Sequence, residues 1–216
     1  MKTAILIGAT GLIGSHLLDK LLQVKEYSKL LVFVRRSTNI RHTKLEEHII
    51  DFDKPDMYAD KIQGEDLFCC FGTTIKQAGS QEDFTKIDME YPLQFAKIAL
   101  KNGAQNFSIV SSIGANADSS NFYLRTKGKC EDLIRQIPFT SISIFRPSFL
   151  LGKKPEFRLG KRIAMILAKI FSFLLFGKFR RYRAIEADQV AKAMLDVMHE
   201  PVPGVKIYES DEIQNI

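Results

Sequence analysis

A chain of 216 residues with 45% hydrophobic content is long enough to bury one substantial core. The formal net charge of +6 gathers in one place: residues 153–183 hold ten Lys or Arg against the single acid Glu156, which excludes a basic surface spread over the whole protein. The three cysteines, Cys69, Cys70 and Cys130, include an adjacent pair inside an apolar run, which excludes a disulfide scaffold and predicts reduced, buried thiols.

Strand-like and helix-like segments alternate, so the expected fold is α/β, a doubly wound parallel sheet. Lys2 to Gly8 is an apolar run ending in glycine, and Gly11 to Val24 then spaces Leu12, Ile13, Leu17, Leu18, Leu21 and Leu22 helically. Leu30 to Val34 predicts a strand buried on both faces. Leu45 to Phe52 predicts a weaker third strand and Leu67 to Phe71 a fourth, while Ile75 to Phe84 reads as a loop. A helix is expected from about Met89 to Asn102, with Pro92 near its first turn and Gly103 at its C-terminal cap. Asn106 to Val110 is a fifth strand, Phe122 to Ile137 a helix closed by Pro138, and Ser141 to Phe145 a sixth strand. The remainder predicts helices at Ile163 to Phe176 and Asp188 to Met198, then a strand at Val205 to Tyr208. The expectation is one domain over 1–216, with 151–216 forming a small C-terminal cap on the substrate side. No secretory leader precedes the first strand, so the expected location is the cytoplasm.

Gly8-Ala9-Thr10-Gly11-Leu12-Ile13-Gly14 lies between the first strand and the first helix. Glycines at this spacing allow a sharp turn, a close backbone approach to a pyrophosphate, and tight packing of helix on strand. The helix N-terminus adds unpaired N–H groups and the positive end of its dipole. The second strand ends in Arg35-Arg36, with no acid to accept a ribose 2′-hydroxyl. Arginine pairs with a 2′-phosphate, so NADP is expected over NAD, with NAD as the alternative. Ser37 and Thr38 are further candidate donors.

Tyr123 and Lys127 stand four residues apart and therefore share one helix face. A cation one turn away favours the phenolate and fits the tyrosine for proton transfer. Ser111-Ser112 ends the fifth strand, at the sheet edge where doubly wound folds hold their ligands, and a serine there can hydrogen-bond a substrate oxygen.

With these residues in place, the sequence resembles the atypical branch of the short-chain dehydrogenase/reductase superfamily, in particular the Tat-interacting-protein oxidoreductases and their bacterial epimerase/dehydratase-like and NmrA-like relatives. The resemblance rests on GATGLIG at 8–14, VRR at 34–36, DF at 51–52, CCFGTTIKQAGS at 69–80, SSIGANADSSNFYLRTKGKCE at 111–131 and FRPSFLLG at 145–152. It implies that Asp51 and Phe52 meet the adenine ring. Phe71, Gly72, Thr73 and Thr74 would lie along the adenosine ribose and pyrophosphate. It further implies that Tyr123 is the catalytic acid/base, and that Lys127 is its partner and holds the nicotinamide ribose. Ser112 would polarise the substrate, with Ser111 the near alternative. Pro147 and Ser148 would meet the carboxamide, although the family usually has glycine where Ser148 stands. The implied activity is hydride transfer to or from a small carbonyl or alcohol. A non-enzymatic NADPH-binding regulator and a nucleotide-sugar epimerase or dehydratase are the alternatives.

His16, His42, His48 and His199 have no ligand-like spacing, so no metal is expected. The basic stretch lacks a nucleic-acid motif, which leaves a small-molecule substrate as the expected partner. The helix at Ile163 to Phe176 is shorter than the roughly 20 residues needed to cross a bilayer. It is expected to pack over the core, with membrane-surface contact through 153–183 as the alternative. Monomer and homodimer are both compatible.

Overall fold

The computed structural model describes residues 1–152 and 181–216. Seven strands form one sheet: β1 (Lys2–Ile7), β2 (Tyr27–Val34), β3 (Leu45–Ile49), β4 (Asp66–Cys69), β5 (Asn106–Val110), β6 (Ser141–Arg146) and β9 (Gly204–Glu209). Their order is β3-β2-β1-β4-β5-β6-β9 and every neighbouring pair is parallel. This is the expected doubly wound α/β arrangement. A separate short parallel pair, β7 (Leu150–Leu151) with β8 (Ile185–Glu186), follows β6.

Side chains alternate across the pleat and divide the core in two. Ala4 and Leu6 of β1 face a cluster that includes α1 (Leu12–Gln23) and α6 (Ala187–His199). Ile5 and Ile7 face the other cluster, with α4 (Tyr91–Lys101) and α5 (Phe122–Ile134). Both layers are thus filled by β1, whose residues 4–7 are fully buried. The C-terminal part contributes to these same layers through α6 and β9. The expected helix at Ile163 to Phe176, and most of the basic stretch, lie outside the described residues.

Two differences from the sequence reading have local physical causes. The stretch 75–84 is not a plain loop but holds α2 (Ile75–Ala78) and the start of α3 (Gln81–Thr85). Each is capped by a hydroxyl: Gln77 N–H donates to Thr74 Oγ1 at 3.2 Å and Asp83 N–H to Ser80 Oγ at 2.9 Å. The helix expected at Met89 in fact continues back to residue 81 through a π-helical turn, Lys86–Glu90. Pro92 accounts for it. Proline has no N–H for the carbonyl of Asp88 and its ring would press against that carbonyl, so the regular ladder cannot run through this point.

An aromatic group fills the α4 side of the core beneath the ends of β2 and β4. The Phe95 ring lies 5.3 Å from Phe33, 5.7 Å from Phe52 and 5.5 Å from Tyr58. Phe95→Ala should therefore cost about 3–5 kcal/mol in urea unfolding; a loss below about 1 kcal/mol would contradict the packing.

Candidate functional site

Because the sheet is parallel throughout, the carboxyl ends of its strands share one edge. Gly8 follows β1, Arg35 and Arg36 follow β2, Asp51 and Phe52 follow β3, and Phe71 to Thr74 follow β4. Ser111 and Ser112 follow β5, and Pro147 and Ser148 follow β6. The strand order reverses between β1 and β4, which opens the crevice used by ligands in such sheets.

The glycine loop is held at backbone contact distance. Gly8 has φ +81°, and a Cβ there would lie 2.5 Å from the Cys70 carbonyl carbon. A Cβ on Gly14 would lie 2.1 Å from the Gly8 oxygen. The end of β1, the start of α1 and the end of β4 therefore meet with no room for a side chain. Gly11 is the N-cap of α1 and offers no side-chain acceptor, and the first turn carries no acid. The loop thus fits an anion, with backbone donors presented and no competing carboxylate in that turn. Leu12 opens the helix with Gly152 packed against its side chain, Ile13 is buried, and Thr10 is exposed.

At the end of β2, Arg35 and Arg36 are exposed, and neither makes an ion pair among the described residues. Ser37 and Thr38 turn instead to an acid supplied by β3. Thr38 donates to Glu47 Oε2 through its N–H at 2.8 Å and its hydroxyl at 2.6 Å. Partial burial acts to raise the Glu47 carboxyl, but the donors Ser37 and Thr38 outweigh it and hold the group below its ordinary value. Phe52 is buried, 5.1 Å from the half-buried Phe71 ring and 5.4 Å from Tyr91. Asp51 is exposed and accepts the N–H of Asp53.

On α5, Tyr123 and Lys127 differ sharply in burial. The Tyr123 ring is half-buried, 5.4 Å from Phe84 of α3. Lys127 is 4% exposed. Its ammonium lies 2.7 Å from Oδ1 of Asp88, which is 1% exposed on the π-helical turn. Burial would strip the proton from Lys127, but Asp88, and after it Tyr123, hold the ammonium well above the ordinary lysine value. The other oxygen of Asp88 accepts the Thr73 N–H at 3.1 Å. Sequence reading missed Asp88, and the available signal was the helix-disrupting Pro92 four residues on.

The two serines separate clearly. Ser111 is buried, with its hydroxyl donating to Glu131 Oε1 at 2.5 Å. Ser112 is half-buried, and among the described residues its hydroxyl reaches only the neighbouring Ile113 carbonyl at 3.3 Å. Glu131 is itself clamped: Arg146 donates to both of its oxygens, at 3.0 and 2.6 Å, and reaches Glu209 at 3.0 Å. This fork ties α5 to β6 and β9. Behind it, the Pro147 carbonyl accepts the Ile113 N–H at 3.0 Å. Ser148 is buried, donating to the Arg183 carbonyl and accepting from Ser210 at 3.0 Å. Gly128 was also overlooked. A Cβ there would lie 2.2 Å from Ala117 N, so glycine lets the 113–121 loop rest directly on α5.

Residues 8–201 match the NAD(P)H-binding family. The chain is 34% identical over 207 residues to Protein HTATIP2 of Rattus norvegicus, covering 94% of this chain and 84% of that protein. It is 35% identical to Protein FMP52, mitochondrial, of Meyerozyma guilliermondii, covering 97% and 93% respectively. Among solved structures it is similar to UDP-glucose 4-epimerase of Thermotoga maritima (TM-score 0.70, 17% identity, covering 95% of this chain and 75% of that one). It is also similar to Bordetella bronchiseptica WbmH in complex with NAD+ (TM-score 0.71, 16% identity, covering 97% and 76%). These likenesses correct the cytoplasmic expectation, because FMP52 proteins of three yeasts are named mitochondrial. The cysteine pattern, on which that expectation partly rested, does not separate one reducing compartment from another.

Burial pushes the Cys69 and Cys130 thiols up to about 12, and Cys70 well above its ordinary value. At pH 8 all three should remain thiols behind packed side chains. Ellman's reagent should then label none within minutes in the native protein and all three in denaturant; rapid native labelling would refute the burial.

Proposed function

We propose that this chain, which belongs to the NAD(P)H-binding family, is an NADP(H)-dependent oxidoreductase acting on a small carbonyl or alcohol. The observation that carries the reading is the meeting of three features at one sheet edge. These are a glycine loop with no room for side chains, Ser112 at the end of β5, and Tyr123 beside a buried, charged Lys127.

The pyrophosphate is assigned to Gly8, Thr10, Gly11, Leu12 and Ile13, at the start of α1. Arg35 and Arg36 are assigned to the 2′-phosphate, supported by their exposure and by the lack of an ion pair for either among the described residues. Asp51, Phe52, Phe71, Gly72, Thr73 and Thr74 form the adenosine side, with Phe71 the more accessible ring and Phe52 supporting it from beneath. Pro147 and Ser148 bound the nicotinamide side. The cofactor supplies hydride chemistry when bound. Ser112 donates its hydroxyl to the substrate oxygen, and Tyr123 gives that oxygen a proton in reduction or removes one in oxidation. The buried ammonium of Lys127, one turn from Tyr123 on α5, holds the nicotinamide ribose. Ser111 is assigned to support, since its hydroxyl already donates to Glu131.

Tyr123→Phe should lower NADPH oxidation across a panel of aldehydes and ketones by at least about 100-fold, with NADPH affinity within about twofold of the parent. Unchanged turnover would remove Tyr123 from the mechanism, whereas tight binding without turnover in the parent would favour a regulatory nucleotide-binding protein. Replacing Arg35 and Arg36 together with alanine should weaken NADPH by roughly tenfold or more and leave NADH nearly unchanged. Equal losses, read by nicotinamide fluorescence, would refute the 2′-phosphate assignment.

A further inference from the structure

We infer that Asp88 is a positioning residue of the nucleotide site, its single carboxylate holding the Lys127 ammonium in register with the loop that follows β4. The inference rests on the reading of Lys127 as the residue that holds the nicotinamide ribose.

A buried ammonium must lose its proton or meet an anion. Two carboxylates stand near Lys127, around a small cavity lined by Phe71, Asp88, Ser111, Lys127, Cys130 and Glu131. Glu131 is already occupied by Arg146 at both oxygens, by Arg135 at 3.4 Å and by the Ser111 hydroxyl. Asp88 is the one whose Oδ1 has no other donor among the described residues and lies 2.7 Å from the ammonium. Pairing therefore falls to Asp88.

The second oxygen extends its role beyond neutralisation. Oδ2 accepts the N–H of Thr73, in the loop that continues from the Cys70–Phe71 backbone on which Gly8 rests. One carboxylate thus connects the adenosine side of the edge, through Thr73, to the nicotinamide side, through Lys127. Asp88 sits on the π-helical turn enforced by Pro92, where the backbone is fixed by a neighbouring residue and not by the ligand. A neutral side chain could keep one contact or the other, but only a carboxylate both balances the charge and accepts from two sides.

The test compares the parent chain, Asp88→Asn, Lys127→Met and the double variant. Two probes are titrated against each: NADPH, and adenosine 2′,5′-bisphosphate, which lacks the nicotinamide ribose. Lys127→Met should raise the NADPH Kd by roughly tenfold, Asp88→Asn by a similar factor, and the double variant by no more than Lys127→Met alone. All four should bind adenosine 2′,5′-bisphosphate within about twofold of one another, a result a general loss of structure would not give. Multiplying losses in the double variant, or an equal loss of both probes in Asp88→Asn, would overturn the inference. So would Asp88→Asn binding NADPH as the parent does while Lys127→Met is weakened. If Lys127→Met itself leaves NADPH unaffected, the reading of Lys127 falls first and the inference with it. Should Asp88→Asn fail to fold around a lone buried ammonium, the double variant, which buries no charge there, is compared with Lys127→Met. Equal NADPH affinity supports the inference, and a further tenfold loss overturns it.

Discussion

The architecture turns on a close backbone approach at the carboxyl edge of the sheet. The Gly8 carbonyl stands where a side chain of Gly14 would be, and the Cys70 backbone stands where a side chain of Gly8 would be. This contact sets the distance from β1 to α1 and from β1 to β4. The position of α1 then decides where α6 packs, and the position of β4 decides where the loop carrying Thr73 runs. A bulkier residue at either glycine would push apart backbone segments, which do not relax as a flexible side chain does.

The second organising element is the arrangement of buried charge. Lys127 with Asp88, and Arg146 with Glu131 and Glu209, stand one turn apart along the same face of α5 and link that helix to the π-helical turn, to β6 and to β9. Buried pairs of this kind contribute little net stability over apolar packing, yet losing one partner leaves the other charge stranded. Their value lies in orientation. They hold α5, and with it Tyr123 and Lys127, at a defined height above the strand ends. A polar cluster at the opposite end of the sheet, where Asp66 accepts from Lys2, Tyr27 and Asn106, joins β1, β2, β4 and β5 in the same manner.

Most of the fold was legible because its signals are local and periodic. The inner strands of the main sheet were short apolar runs bounded by turn residues, and β1, buried on both faces over residues 4–7, was apolar there in the way a central parallel strand must be. Edge strand β3 carried the weaker signal of a half-exposed LEEHI. The site was legible where chemistry demands a fixed spacing, as in the glycine loop and the Tyr123–Lys127 pair. Asp88 was not, because its partner lies 39 positions further along the chain and no period links them. Glu47 escaped for a similar reason: the reading searched the end of β2 for an acid, whereas the carboxylate comes from the adjacent strand. Gly128 had no signal of its own, because what requires glycine there is a loop pressed against α5 from outside the helix.

The pairing of α1 with α6 has a consequence for how quickly the protein can assemble. Leu17, Leu18 and Leu21 belong to a helix formed near the start of the chain, while Val190, Ala191 and Met194, which cover the same layer, come near its other end. β1 and β2 can pair early through a short connection, yet the outer layer closes only after almost the whole polypeptide has been gathered. Closure of so long a loop carries an entropic penalty before any contact rewards it, so folding should be slow for a chain of this size. Until then one apolar side of the first helix stays bare, which makes the unfinished molecule, more than the native one, the form in greatest need of protection from aggregation.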